Sequence, residues 1–340
     1  MSGRRISVAF QTDLPLSAYG PLAAAAERHG FDLVSLYNDL LYQPAWLPLL
    51  EMARATSRVA LGPSAVNPFT CHPLNIAGHL ALIDEASGGR AYLGLARGAW
   101  LDFLALGPAR PVTALREALE CIRHLLRRSR EPYRGEVFRL AGGDSLRWAI
   151  ARPELPFLLG TWGSTTVRAC IGEVAEVKVG GTANPALVPR YLAVIDDAVR
   201  QAGRKAGDVG LVVGCVSVVA RDGRVARDLA RRKAALYLGV IADLDPTLGV
   251  EPDRLARIRA AAAAYEFDTA AKEIPDALLA RVALAGTPDE VAAQADALYA
   301  AGVHRVEFGT PHGLDEAEGL RLLGDDVLPA LRRRWGVGGG

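Results

Sequence analysis

The sequence is poor in the residues that typify disulfide-bonded and metal-binding proteins. Its 340 residues include only four cysteines and six histidines. No two cysteines form a C-x-x-C pair, and the histidines show neither an H-E-x-x-H motif nor a tight cluster. Such sparse, separated ligands argue against a disulfide framework and a thiolate metal site. We therefore expect no bound metal.

An excess of charge and long apolar runs are also missing. The 39 basic residues nearly balance the 38 acidic ones, so no long-range field favours nucleic acid or an anionic membrane. The first apolar stretch, before Gln11 and Asp13, is too short and too polar for a signal peptide or a membrane span. We expect a cytoplasmic protein that acts on a small molecule and forms a homodimer.

Short β-branched runs alternate with longer Ala/Leu/Arg segments of helical period, a pattern typical of βαβ units. The predicted strands are 6–12, 31–39, 58–64, 91–98, 156–162, 175–181, 209–220 and 304–310. Eight strands, each followed by helical sequence, predict one (β/α)₈ TIM-type barrel. No G-x-G-x-x-G follows the first strand, which counts against a dinucleotide-binding fold.

The predicted barrel is a single domain over residues 1–335 with two insertions. Residues from about 129 to 155 suggest a loop or hairpin, and residues 236–284 suggest helices before the last strand. Thr287 and Pro288 fit the N-cap and first position of the helix that follows. The Gly-rich residues 336–340 are predicted to be a disordered tail.

In this fold the active site lies at the carboxyl ends of the strands. Here those ends hold most of the tryptophans and many Gly, Asn and Thr residues, notably in YND (37–39), ARGAW (96–100) and GTWGSTT (160–166). Rigid aromatic rings beside exposed backbone amides suit a flat heterocycle that carries a phosphate. Ser164, Thr165 and Thr166 after Gly163 fit either an anion site at a helix start or a well-capped helix without a ligand.

Two charged residues near the strand ends have competing interpretations. Arg97 could hold a phosphate or carboxylate, but we favour a salt bridge to a neighbouring strand-end acid such as Asp39. Asp39 either caps the segment that follows it or accepts a hydrogen bond from a ligand ring nitrogen. For Glu307, within the last strand, we favour a core ion pair over catalysis.

The stretch GPSAVNPFTCHP (62–73) follows the third predicted strand. Pro63 is poorly tolerated within a paired ladder, so the strand must bulge or end there. Pro73 starts the next helix at its first turn. A nucleophilic Cys71 would need a lowered pKa and a nearby base, and we favour an ordinary packed cysteine.

Three motifs carry a resemblance to a known family: N-P-x-x-x-H-P (67–73), D-E-x-S-G-G-R (84–90) and G-L-x-R-G (94–98). With GTWGSTT and the carboxyl-terminal segment to about residue 333, the chain resembles the bacterial luciferase-like superfamily. It is most similar to the coenzyme F420-dependent branch that contains methylenetetrahydromethanopterin reductase.

The resemblance implies a TIM-type barrel, usually dimeric, with a flavin or deazaflavin at the mouth. It implies a non-prolyl cis peptide between Ser64 and Ala65 that bulges against one face of the ring, and it favours the anion site. The cofactor-binding residues it implies are Asp39, Ser64, Ala65, Val66, Asn67, Gly163, Ser164, Thr165, Thr166, Gly180 and Gly181. Four further strand-end residues complete the predicted cofactor site: Arg97, Gly98, Thr161 and Trp162.

The sequence departs from one branch of that family. The F420-dependent glucose-6-phosphate dehydrogenases have a histidine where this chain has Leu40 and an acid where it has Ala99. Sugar-phosphate dehydrogenation is therefore not expected. Cys71 stands in place of a common arginine.

The function predicted on this basis is F420-dependent oxidoreduction, with hydride transfer between the reduced deazaflavin and a C=C or C=N bond of a small molecule. The alternatives are an FMN-dependent monooxygenase and a non-catalytic flavin-binding protein. Asp39, Tyr42 and His312 are the candidate proton donors. Trp46 and Trp100, with Tyr42 and Trp162, are predicted to cover the open face of the ring and to line the substrate pocket.

Overall fold

The computed structural model describes residues 3–336, and within them β-strands and helices alternate along the chain. The strands are β1 (Arg5–Phe10), β2 (Leu33–Leu36), β3 (Ala60–Pro63), β4 (Leu93–Ala96), β5 (Tyr133–Arg134), β6 (Arg139–Leu140), β7 (Phe157–Gly160), β8 (Glu176–Gly180), β9 (Gly210–Val219), β10 (Ala283–Gly286) and β11 (Arg305–His312). Each of the eight predicted strands overlaps one of them.

The main sheet is parallel and runs in the order β3-β2-β1-β11-β9-β8-β7-β4. Two isolated parallel bridges join its outer strands, one between Leu61 and Ala91 and one between Val66 and Leu95. Eight parallel strands joined in this way form a (β/α)₈ barrel. The predicted fold class is therefore confirmed.

The helices cover the outside of the barrel. They are α1 (Leu16–His29), α2 (Trp46–Ala55), α3 (Pro73–Ala86), α4 (Pro111–Leu126), α5 (Ser164–Cys170), α6 (Val188–Gln201), α7 (Gly223–Leu244), α8 (Pro252–Ala263), α9 (Phe267–Lys272), α10 (Asp276–Leu279), α11 (Pro288–Ala300), α12 (Glu316–Leu322) and α13 (Leu328–Arg334). Thr287 caps α11 in a capping box with Glu290, and Pro288 occupies the first turn, as predicted. Among the described residues, no helix is both long and apolar enough to cross a bilayer.

Both predicted insertions contain β-structure, which the sequence allowed in the first and not in the second. Strands β5 and β6 pair as a short antiparallel hairpin within residues 129–155. Strand β10 begins at the end of the segment 236–284 and pairs with Val216–Val219 of β9, so the purely helical interpretation of that segment was wrong at its last two residues. The domain bounds stay a prediction, and residues 337–340 of the predicted tail lie outside the described part.

Alternation along two strands determines which side chains enter the barrel. In β8, Val177 and Val179 pack into the main apolar core, as Val306 and Phe308 of β11 do. The residues that alternate with them are charged and buried: Glu176 and Lys178 in β8, and Arg305 and Glu307 in β11. Since successive side chains of a strand point to opposite faces, the charged side chains lie inside the barrel. The sequence analysis did not predict this polar interior.

Candidate active site

The end of β2 presents a partly buried carboxyl group at the barrel mouth. Asp39 Oδ2 accepts a hydrogen bond of 3.1 Å from Gln11 Nε2, just after β1. Burial raises the pKa of Asp39, and the Gln11 bond and the charge of Lys178 offset only part of this effect. Asp39 therefore holds a proton at higher pH than an exposed aspartate does. Tyr42, a few residues on, is 45% exposed.

The segment after β3 bulges between two strands. Its backbone is bonded on one side from Ser64 N to Leu36 O, at 2.7 Å, and on the other from Val66 N to Gly94 O, at 3.0 Å. The bond between Ser64 and Ala65 is cis, which confirms the conformation implied by the resemblance. Ser64 and Val66 are buried, whereas Ala65 is partly exposed. The bulge therefore presents Ala65 at the mouth.

Asn67 ends this segment by binding its own loop. Its side-chain oxygen accepts from the backbone N–H groups of Phe69 and Thr70, at 3.0 and 2.9 Å. Its amide nitrogen lies against Gly98, where a Cβ atom would approach it to 3.0 Å. Gly98 also has a φ of 84°, so a larger residue is disfavoured there. Asn67 and Gly98 thus shape the rim beside Ala65.

The favoured salt bridge between Arg97 and Asp39 is wrong. Arg97 is exposed, and across residues 3–336 no carboxylate lies within 4.0 Å of its guanidinium nitrogens. Asp39 is bonded to Gln11 instead. Its predicted role in phosphate binding stays a prediction.

The predicted phosphate loop lies at the start of α5. Gly163 is the N-cap and makes no side-chain cap bond, and the first helical bond runs from Val167 N to Gly163 O at 3.0 Å. Two hydrogen bonds hold Thr161 in place. Its hydroxyl accepts from Gly163 N at 3.0 Å, and its carbonyl accepts from the Tyr191 hydroxyl at 3.0 Å. Thr166 is buried, and Ser164 and Thr165 lie at the surface. A helix start without a side-chain cap leaves N–H groups for an anion.

The tryptophans of the mouth differ in their surroundings. Trp162 donates from Nε1 to Gly180 O at 3.1 Å and packs edge-on against Tyr191. Trp46, the first residue of α2, packs on His79 with ring centroids 5.0 Å apart. Trp100 is 49% exposed. The fixed position of Trp162 suits a wall of the site, while Trp100 has room to contact a ligand.

The structure buries His312 at the carboxyl end of β11. Its side chain is fully buried, with Nε2 3.0 Å from Ala9 O and the ring edge-on to Phe10. Its Nδ1 lies 3.5 Å from Glu316 Oε1. These contacts favour a structural role over proton donation to a ligand, so Asp39 and Tyr42 are the accessible members of the predicted set.

Cys71 and His72 also have structural surroundings. Burial raises the pKa of the Cys71 thiol, which supports the packed-cysteine interpretation. His72 is the N-cap of α3, and its Nδ1 accepts from Leu74 N at 3.1 Å. Within the described residues, no group of three or more His, Cys, Asp or Glu side chains could hold a metal ion.

Helix α7 brings a residue to the mouth that the sequence analysis missed. Gly181, with a φ of 81°, lies so close to α7 that a Cβ atom would be 2.4 Å from Ile241 Cδ1 and 4.0 Å from Tyr237 Cβ. Burial raises the pKa of Tyr237, and together with the neighbouring Asp39 and Tyr42 it brings that pKa to about 12. Tyr237 therefore belongs to the same cluster as Asp39 and Tyr42. No sequence motif marks Tyr237, because α7 follows β9, whereas Asp39 and Tyr42 follow β2.

A buried polar network lies directly below these residues. Lys178 Nζ donates to Ser64 Oγ at 2.7 Å and contacts Glu307. Glu307 also accepts from Ser35 Oγ at 2.6 Å. The favoured core ion pair of Glu307 is thus confirmed. The sequence could have indicated Lys178, because it lies between Val177 and Val179 of a predicted strand. If both valines face the helices, the lysine must face the barrel interior.

The fold and the site together define a class of protein. It is a (β/α)₈ barrel with aromatic residues, a partly buried acid and free helix N–H groups around one mouth, and an internal segment that bulges toward it. Such sites bind a small organic cofactor together with its substrate.

The chain belongs to the luciferase-like monooxygenase family, whose model matches residues 5–305. It is 27% identical over 334 residues to 5,10-methylenetetrahydromethanopterin reductase of Methanopyrus kandleri, covering 92% of this chain and 94% of the relative. It is 27% identical over 339 residues to F420-dependent glucose-6-phosphate dehydrogenase of Nakamurella multipartita, covering 95% and 94%. These relatives confirm the predicted resemblance to the F420-dependent branch.

Solved structures show the same fold over the whole chain. The coenzyme F420-dependent tetrahydromethanopterin reductase of Methanopyrus kandleri matches with a TM-score of 0.89 and 24% identity, over 97% of this chain and 99% of that one. An F420-dependent secondary alcohol dehydrogenase matches with a TM-score of 0.79 and 15% identity, over 97% and 99%.

Proposed function

We propose that the protein is an F420-dependent oxidoreductase that transfers a hydride between the reduced deazaflavin and an unsaturated C=C or C=N bond of a small molecule. The observation that carries the proposal is the alignment with F420-dependent relatives over at least 92% of this chain. The chain carries Leu40 and Ala99 where the sugar-phosphate dehydrogenases have a histidine and an acid, which favours the reductase type.

The residues at the mouth suit such a cofactor. Ala65 offers a small apolar surface to a ring, and a Cβ atom on the adjacent rim residue Gly180 would meet no atom within 4 Å. The start of α5, with Ser164 and Thr165 at the surface, offers N–H and hydroxyl donors to a phosphate. An apolar platform beside an anion site matches a flat ring with a phosphate-bearing side chain.

When bound, F420 supplies the hydride, and the protein binds, orients and shields the ring. The segment 64–67 would support one face of the ring, and Trp162, held by its bond to Gly180 O, would line the side of the site. Burial raises the pKa of Asp39, which makes this carboxyl group the best-placed proton donor for a substrate on the open face in the proposed reaction. Gln11 orients this carboxyl group through its 3.1 Å bond.

The test is a titration of the purified protein with F420 and, separately, with FMN, followed by visible absorbance and fluorescence. We expect saturable F420 binding and oxidation of the reduced cofactor by at least one member of a panel of imines, enamines and enones. The variant Asp39→Asn should bind F420 and lose most of the turnover. Tight FMN binding without F420 binding would favour a monooxygenase, and F420 binding without turnover across the panel would favour a cofactor-binding protein. The homodimer stays a prediction.

A further inference from the structure

Four charged side chains form a continuous line inside the barrel. Arg305 binds Glu176 through two hydrogen bonds of 3.0 and 2.5 Å. The Arg305 guanidinium also lies 3.4 Å from Glu307, and Glu307 contacts Lys178. All four side chains are buried. The charges alternate in sign and sum to zero.

The line has a direction relative to the mouth. Glu176 and Arg305 are the first residues of β8 and β11, and Lys178 and Glu307 lie two residues further along the same strands. Because these strands are parallel and point toward the mouth, the negative end of the line is deepest. Lys178 is its uppermost member, and its Nζ lies 2.7 Å from Ser64 Oγ.

Stability alone does not account for the upper pair. Glu176 and Arg305 already neutralise each other with two bonds. Lys178 and Glu307 bring two further charges into the interior, and the desolvation of such a pair commonly cancels its Coulombic gain. Apolar side chains of similar volume would fill the same space at least as favourably. A role at the site explains why a cation lies there.

The hydroxyl of Ser64 connects this cation to the segment that supports the ring. The ammonium group donates to Ser64 Oγ, so the hydroxyl proton is free to bond to an acceptor elsewhere. The Lys178 charge also reaches the mouth, because it lowers the pKa of Asp39 against the effect of burial. The Tyr37 ring lies 5.3 Å from Nζ and closes the site from that side.

We propose that Lys178 is a positioning residue that fixes Ser64 and places a positive charge under the cofactor ring, so that the reduced ring binds more tightly than the oxidised one. This inference rests on the proposed function. A ring that has accepted a hydride has gained two electrons and one proton, and it carries one more negative charge until it binds a further proton. A cation held below the ring favours that form.

The test compares the affinities of the two forms of F420 in the double variant Lys178→Met/Glu307→Gln. This variant removes one charge of each sign and leaves the Glu176–Arg305 pair intact. We expect the ratio of the dissociation constants, oxidised over reduced, to fall about tenfold. Isothermal titration calorimetry measures both constants without turnover.

Three further variants distinguish the effect of the Lys178 charge from the loss of an unrelated lysine and from the loss of the Ser64 hydroxyl. Lys205→Met removes an exposed lysine between α6 and β9 and should leave the ratio unchanged. Lys178→Arg keeps the cation and should largely restore the ratio. Ser64→Ala removes only the hydroxyl, and it should weaken both forms to a similar extent. If the double variant does not fold, Lys178→Gln is measured in its place.

The outcomes distinguish this inference from the function on which it rests. Suppose that the wild-type protein binds F420. If the double substitution then lowers the affinity for both forms equally, or changes neither affinity, Lys178 has only a structural role and the inference is wrong. If the wild-type protein binds neither form, the proposed function fails and the inference fails with it.

Discussion

Side chains at the mouth of the barrel differ in how firmly their neighbours hold them. Ser64 and Trp162 are each bonded to a fixed partner, Lys178 and Gly180 respectively. Tyr42 and Trp100 are about half exposed. Residues held in one orientation can set the position of a ring, whereas freer residues can adapt to a substrate. The contrast indicates which residues to change in order to alter cofactor affinity rather than substrate choice.

The variant Gly163→Leu should weaken F420 binding about tenfold while the barrel stays folded. A Cβ atom there would lie 3.2 Å from Thr166 Oγ1 and 3.6 Å from Thr161 Oγ1, which requires only a small adjustment, but a leucine side chain would project over the start of α5. Fluorescence titration and thermal unfolding measure the two effects. Gly172→Leu is the control, because a Cβ atom at that exposed glycine meets nothing within 4 Å. Reduced thermal stability with unchanged affinity would show that Gly163 serves only the fold.

The variant Tyr237→Phe should lower kcat roughly tenfold and leave F420 affinity unchanged. The hydroxyl group lies close enough to Asp39 and Tyr42 for both to raise its pKa, so under the proposed function it would bind substrate or support a proton transfer. Steady-state kinetics on the best substrate of the panel measure the effect. Tyr265→Phe, at an exposed tyrosine in the turn after α8, is the matched control. Equal kinetics for both variants would place Tyr237 outside the site.

At the scale of elements, sequence patterns predicted those strands and helix ends that depend on neighbouring residues in the chain. The eight barrel strands followed from β-branched runs, and the start of α11 followed from the Thr287–Pro288 cap signal. Strand β10, ALAG, lacks β-branched residues, so only its pairing with β9 makes it a strand. The ion line joins residues 176 and 305, which are 129 positions apart, and the position of α7 over Gly181 depends on packing. Neither is encoded in a local pattern.

The variant Thr287→Ala should destabilise the protein by about 1 kcal/mol. It removes the side-chain oxygen that accepts from Glu290 N and so breaks one half of the capping box of α11. Urea denaturation followed by circular dichroism measures the change in the free energy of unfolding. Thr269→Ala, at an exposed threonine of α9, should change it by no more than about 0.5 kcal/mol. A similar loss for both variants would argue against a role of the cap.

Across the whole molecule, buried carboxylates link stability to pH. Burial alone would raise the pKa of Glu176, but the Arg305 charge lowers it to about 2. In Glu27, the backbone N–H groups of Val59, Arg58 and Ser57 likewise overcome burial and lower the pKa to about 2. Each group has a lower pKa in the folded than in the unfolded protein, so its contribution is present above the unfolded value. That contribution is lost as the pH falls.

We therefore expect the free energy of unfolding to decline as the pH falls from about 4.5 toward 2, by about 1.4 kcal/mol per pH unit for each such carboxylate. Denaturation curves at a series of pH values measure the slope. Glu27→Gln keeps the shape of the side chain and removes one titrating group, so its slope should be shallower over the same range. An identical slope in wild type and variant would mean that Glu27 has the same pKa in both states.

The barrel is closed between β3 and β4 by only two bridges, at Leu61–Ala91 and Val66–Leu95, and the second borders the bulge that presents Ala65. The junction that is closed by isolated bridges therefore lies beside the proposed ligand site. A ligand that binds at Ala65 would therefore also stabilise the hydrogen bonds between β3 and β4. A bound ring would slow amide hydrogen exchange at Val66 and Ala96, whose N–H groups bond across this junction, and an empty mouth would leave those amides the first in the barrel to exchange.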